Sequence, residues 1–101
     1  MNLSTSAILG LLVMVAATGL VDAEGKFFCS KDRPEAFCTT PHPNGNGEEY
    51  DMKYLNSQPG QANVCGQFTQ NRCCNQGTWD KAQTRNNVLQ RATISHECTT
   101  L

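Results

Sequence analysis

Six cysteines (Cys29, Cys38, Cys65, Cys73, Cys74 and Cys98) all lie C-terminal to a charge-free apolar N-terminus, in a chain of 101 residues. Cysteines this dense in so short a chain read as a disulfide framework when the chain passes through an oxidising compartment. Residues 7–21 read AILGLLVMVAATGLV, fifteen positions without a charge. Roughly 20 apolar residues span a bilayer as a helix, so this run is short for an anchor and suits the apolar region of a signal peptide. Val21-Asp22-Ala23 supplies a small or branched residue followed by Ala at a cleavage position. The sequence therefore predicts a leader over residues 1–23 and a secreted domain over residues 24–101. A cut after Ala17 is the lesser alternative.

Charge then narrows the partners. Removing the leader takes Asp22 with it and leaves eight acidic against eight basic side chains. A formally neutral domain gives no support for binding nucleic acid or anionic lipid through net charge. The expectation is a soluble monomer without nucleic-acid or membrane partners.

The apolar set is thin. Apart from Ala and Cys it comprises Phe27, Phe28, Phe37, Tyr50, Met52, Tyr54, Leu55, Val64, Phe68, Trp79, Val88, Leu89, Ile94 and Leu101. Domains of this size draw only about 3–5 kcal/mol from their core. Three bridges at about 2–4 kcal/mol each exceed that. Cross-links rather than packing should dominate stability. A direct bond between the adjacent Cys73 and Cys74 would be badly strained. Neighbouring residues on a strand face opposite ways, so the doublet should reach two different partners and tie two parts of the chain to one strand. Cys98 is expected to bond one of the two.

Along the chain, Lys26–Cys29 reads as a short strand, residues 30–35 as a polar turn, and Ala36–Cys38 as a return to apolar sequence. Pro41, Pro43, Gly45 and Gly47 mark residues 39–49 as a surface loop. Tyr50, Met52 and Tyr54 alternate with Asp51 and Lys53, the period of a half-buried strand. Pro59-Gly60 marks another loop, and residues 64–74 read as a central strand pair or bend. Thr78 is a candidate N-cap for a short helix over residues 79–85, ahead of a turn at Asn86-Asn87. Val88 to His96 alternates as a strand should. The predicted class is a small disulfide-rich, β-rich, loop-heavy single domain with at most one short helix.

Candidate chemistry is sparse. His42, His96, Glu48, Glu49 and Glu97 could serve acid–base chemistry, but no spacing brings them together and they read as solvated groups. The sequence holds no C-x-x-C, and its two histidines are far apart, which argues against zinc. No catalytic, cofactor or metal residue is expected. Most aromatics are needed for the core, and Trp79, following Gly77 and Thr78 at a turn, is the best candidate for an exposed partner contact.

The order Phe27-Phe28-Cys29, then Phe37-Cys38 before a Pro-rich stretch, a central Tyr, an isolated Cys65, the doublet Cys73-Cys74-Asn75 and a C-terminal Cys98 resembles small secreted cysteine-rich proteins of fungi. Within that group it resembles the candidate effectors of plant-pathogenic fungi, rusts in particular, and Phe27-Phe28-Cys29 resembles their aromatic-x-Cys motif. The resemblance implies release at the host interface, in the apoplast or onward into host cells. It implies binding of a host protein or cell-wall component and interference with immunity, and no shared enzymatic activity. Alternatives are an antimicrobial or toxin-like protein, a hydrophobin-like surface protein, and a small secreted ribonuclease using His42 or His96. Hydrophobins carry eight cysteines with two doublets, where this chain has six and one.

Overall fold

The computed structural model describes residues 20–101. The predicted leader therefore lies outside the described residues up to position 19. Its last residues form β1 (Leu20–Val21), paired antiparallel with β2 (Phe27–Phe28). The main body is an antiparallel five-stranded sheet with strand order β6-β4-β3-β5-β7. Its strands are β3 (Glu35–Pro41), β4 (Glu49–Asn56), β5 (Gln70–Cys74), β6 (Val88–Gln90) and β7 (Cys98–Thr100). Two short helices, α1 (Thr78–Gln83) and α2 (Arg91–Glu97), interrupt the last third. The molecule is thus small, β-rich and cross-linked by three disulfides, and among the described residues only one helix reaches seven residues.

β3 sits at the centre, and its residues Glu35 to Thr39 are all buried, as expected of a strand covered on both faces. Alternation along β3 and β5 divides the interior into two small cores. On one face Phe37, Met52 and Leu89 from the sheet meet Ala82 of α1, Ile94 of α2, Cys74 and Cys98. On the other, Phe27, Cys29, Ala36 and Cys73 gather, with Leu55, Cys65 and Leu101 against them. In β4, Ala36 pairs with Asn56 and Phe37 with Tyr54, so Leu55 is the extra residue of a bulge.

The cysteine doublet joins these halves. Cys73 bonds Cys29 and clamps the N-terminal segment carrying Phe27 onto one face. Cys74 bonds Cys98, its cross-strand neighbour, and holds the end of α2 over the opposite face. The third bridge, Cys38–Cys65, fastens the loop before β5 to the central strand. These loops close over 44, 27 and 24 residues. Chain-entropy reasoning assigns them about 4, 3.6 and 3.4 kcal/mol respectively.

Two local expectations are corrected. The alternation from Val88 to His96 is not one strand: β6 ends at Gln90 and residues 91–97 are helical. Gln90 pairs with Glu49, the first residue of β4, so a longer β6 would have no partner strand. The helix instead carries the chain from the β6 edge to the β7 edge. Thr78 is not the N-cap of α1: Gly77 occupies that position at φ 98°, and the Thr78 hydroxyl donates to the Asn75 carbonyl at 2.7 Å. The capping acceptor comes from far away in sequence. Glu35 of β3 accepts from the Gly77 amide at 2.9 Å and the Trp79 amide at 2.8 Å, satisfying two of the helix's free donors.

Arg72 fills the open end of the first face. It is 8 % exposed, and its guanidinium lies 5.3 Å from the Tyr50 ring centroid. Its Nε donates to Thr39 Oγ1 at 2.8 Å, and its two terminal nitrogens donate to Thr100 and Gln70. Burial lowers its pKa, an effect opposed by the nearby Tyr50.

Candidate functional site

The loop between Asn63 and β5 is held at both ends before any of its side chains is considered. Asn63 and Phe27 exchange backbone hydrogen bonds at 2.8 and 2.9 Å. The buried Asn63 amide also donates to the carbonyls of Phe27 and Gln61. Cys65 follows, bonded to Cys38 of the central strand. A hydroxyl bond from Thr69 to the Gly66 carbonyl, 2.6 Å, closes the turn leading into β5. Within this pinned loop Phe68 is 93 % exposed and Val64 is 63 % exposed. Phe68 also has φ 63°, a left-handed conformation that costs a bulky L-residue roughly 1–2 kcal/mol. Among the described residues, the three other non-glycine residues with positive φ are Asn46, Asn86 and Asn87, a type that tolerates it. An aromatic ring held in solvent on a strained backbone gains nothing for folding.

Beside this loop, the second face of the sheet carries a groove of about 250 Å³. Cys38 and Thr40 of β3, Asp51 and Lys53 of β4, Thr69 of the loop and Asn87 line it. Thr40 pairs with Asp51 and Cys38 with Lys53, so register alone places these side chains on one face. At the Asp51 end, His42 Nδ1 lies 2.7 Å from Asp51 Oδ1, both groups being partly exposed. The backbone N–H of His42 donates to Glu49 O at 2.9 Å, which fixes the loop carrying it against β4. A hydroxyl, a carboxylate–imidazole pair and an ammonium around one groove can hydrogen-bond a polar ligand through several points.

The other sequence candidates lie elsewhere. His96 lies in the last turn of α2, and its carbonyl accepts from Arg33. Glu97 accepts from Asn75 Nδ2 and Lys81 Nζ, each at 3.0 Å. These bonds, that of Asn75 first, hold its carboxyl below the usual glutamate range. Trp79 is 36 % exposed but stacks on Tyr54 at 4.1 Å and 6°, and Tyr54 meets Phe37 edge-on at 5.6 Å. This places Trp79 over the face opposite the groove. All six cysteines are bonded within the framework described above.

The sequence places Phe68 and Val64 in the core, whereas both are exposed. A signal was present: Phe68 is a lone aromatic within the polar run Gly66-Gln67-Phe68-Thr69-Gln70-Asn71. Asp51 was legible as outward-facing from the Tyr50/Met52 alternation, whereas its pairing with His42 depends on the path of a loop. No protein-family model, curated protein or solved structure matches the chain.

Proposed function

We propose that this chain is a secreted, effector-like protein that works by binding, not catalysis, and that the Val64–Thr69 loop makes the central contact with a host protein or cell-wall component, altering host immunity. The observation that carries this reading is Phe68, an aromatic side chain almost wholly in solvent on a loop fixed by Cys38–Cys65. Burying such a ring in a partner pocket contributes about 1.5–3 kcal/mol. A loop already ordered by a disulfide loses little further entropy on binding. Aromatic anchors of this kind commonly dominate an interface.

The test compares the disulfide-intact domain with its Phe68→Ser variant. Both are used for pull-down from leaf extract and cell wall, and both are expressed in leaf tissue with the oxidative burst as readout. The variant should lose roughly 30-fold in affinity, corresponding to about 2 kcal/mol, and its effect on the burst should fall with it. Equal capture and equal effect from the two proteins would refute the reading.

The His42–Asp51 pair at the groove favours one second reading, a small secreted hydrolase such as a ribonuclease, with Asp51 orienting the imidazole as a general base. RNA cleavage by the purified domain that disappears in His42→Ala would support it. Cleavage that survives the substitution would remove it.

A further inference from the structure

Two Asn–Gly dipeptides follow one another in the loop between β3 and β4: Asn44-Gly45 and Asn46-Gly47. Such a dipeptide has an intrinsic reaction. The glycine amide nitrogen, unhindered by a Cβ, attacks the asparagine side-chain carbonyl carbon. A cyclic imide forms, ammonia leaves, and water opens the ring to aspartate or isoaspartate. In sequence the two sites are equivalent, and both asparagines are exposed in the fold. Exposure therefore cannot separate them.

Backbone bonding does. The Gly45 N–H donates to the His42 carbonyl at 3.0 Å, and the Gly45 carbonyl accepts from Glu48 at 2.8 Å. Gly45 is also buried against Glu49, whose Cβ would lie 2.9 Å from an added methyl group. The nitrogen that must attack Asn44 is thus already committed and its peptide plane is held. His42 is itself fixed by Glu49 and Asp51, which extends that hold to the sheet. At the next site, neither the Gly47 N–H nor the Asn46 carbonyl has a hydrogen-bond partner among the described residues. Gly47 has open space around its Cα and φ 78°, and Asn46 has φ 52°. The peptide between them can rotate toward the attacking geometry without breaking a bond.

We infer that Asn46 is a spontaneous deamidation site of the folded protein and that Asn44 is protected. Conversion places a new carboxylate beside Glu48 and takes the formally neutral domain to a net charge of −1. The isoaspartate product also lengthens the main chain by one carbon within the turn that leads to the His42–Asp51 pair.

The experiment incubates the disulfide-intact domain at mildly alkaline pH and follows both sites by peptide mapping with fragment-ion mass spectrometry. A reduced, denatured sample serves as the control. In the denatured chain the two asparagines should convert at similar rates. In the folded chain Asn46 should convert at least about fivefold faster than Asn44, the penalty of first breaking one net hydrogen bond. Equal rates in the folded protein, faster conversion at Asn44, or a folded Asn46 that stays intact while the denatured one converts would each overturn the assignment.

Discussion

Glu35 is the most informative side chain to remove, because it lies on the central strand and caps a helix more than forty residues further along the chain. The carboxylate is buried and accepts from Gly77 N and Trp79 N through separate oxygens. Hydrogen bonds to a charged group contribute about 1.5–3 kcal/mol each. Glu35→Ala removes both acceptors and leaves two amides unpaired at the start of a six-residue helix that cannot stand alone. A loss of about 3 kcal/mol is expected, with the negative charge at the helix N-terminus lost as well. At an m-value of about 1.5 kcal/mol/M the urea midpoint of the oxidised protein falls by roughly 2 M. Glu35→Gln keeps one acceptor oxygen and should lose about half as much. Trp79, the only tryptophan, reports the transition by fluorescence because its stack on Tyr54 depends on α1. An unchanged midpoint in Glu35→Ala, or equal losses in the two variants, would refute the capping role.

Two further expectations concern pH and strain. Asn75 and Lys81 hold the Glu97 carboxyl below its ordinary value, so its stabilisation is present above the unfolded pKa of about 4.3 and disappears as pH falls through the lower folded value. Urea melts of Glu97→Gln should show a deficit at neutral pH that closes in acid, and a deficit independent of pH would contradict this. Phe68→Gly removes no buried contact and relieves a left-handed aromatic residue, so its unfolding free energy from urea melts should stay level or rise by up to about 1 kcal/mol. A marked loss of stability would mean that the ring packs against something.

What the sequence made legible was local periodicity and the logic of adjacent cysteines. The Tyr50, Met52 and Tyr54 alternation became β4, and the doublet reached two partners on two faces because successive strand positions must do so. The failures arise where a distant element decides. Val88 to Ile94 alternates, yet Ala92 is exposed and only Leu89 and Ile94 are deeply buried, too few to fix a period. The start of β4 then stops the strand, and Cys98 must reach the far edge of the sheet, beside β5. Phe68 looks like core until the Cys38–Cys65 bridge is known to draw residues 64–69 away from the ladder. Glu35 closes a polar stretch in sequence, and nothing nearby announces that its partners lie in α1. Likewise His42 and Asp51 meet only because a Pro/Gly loop folds back along β4.

Equilibrium unfolding of residues 24–101 with the three bridges intact, set beside the same polypeptide reduced and alkylated, addresses most directly whether sulfur replaces a hydrophobic interior here. Two cores this small, with bridges worth about 3.4–4 kcal/mol each, predict one cooperative transition for the oxidised form and none for the reduced form. A reduced chain that still unfolds cooperatively near the same midpoint would show that packing alone suffices.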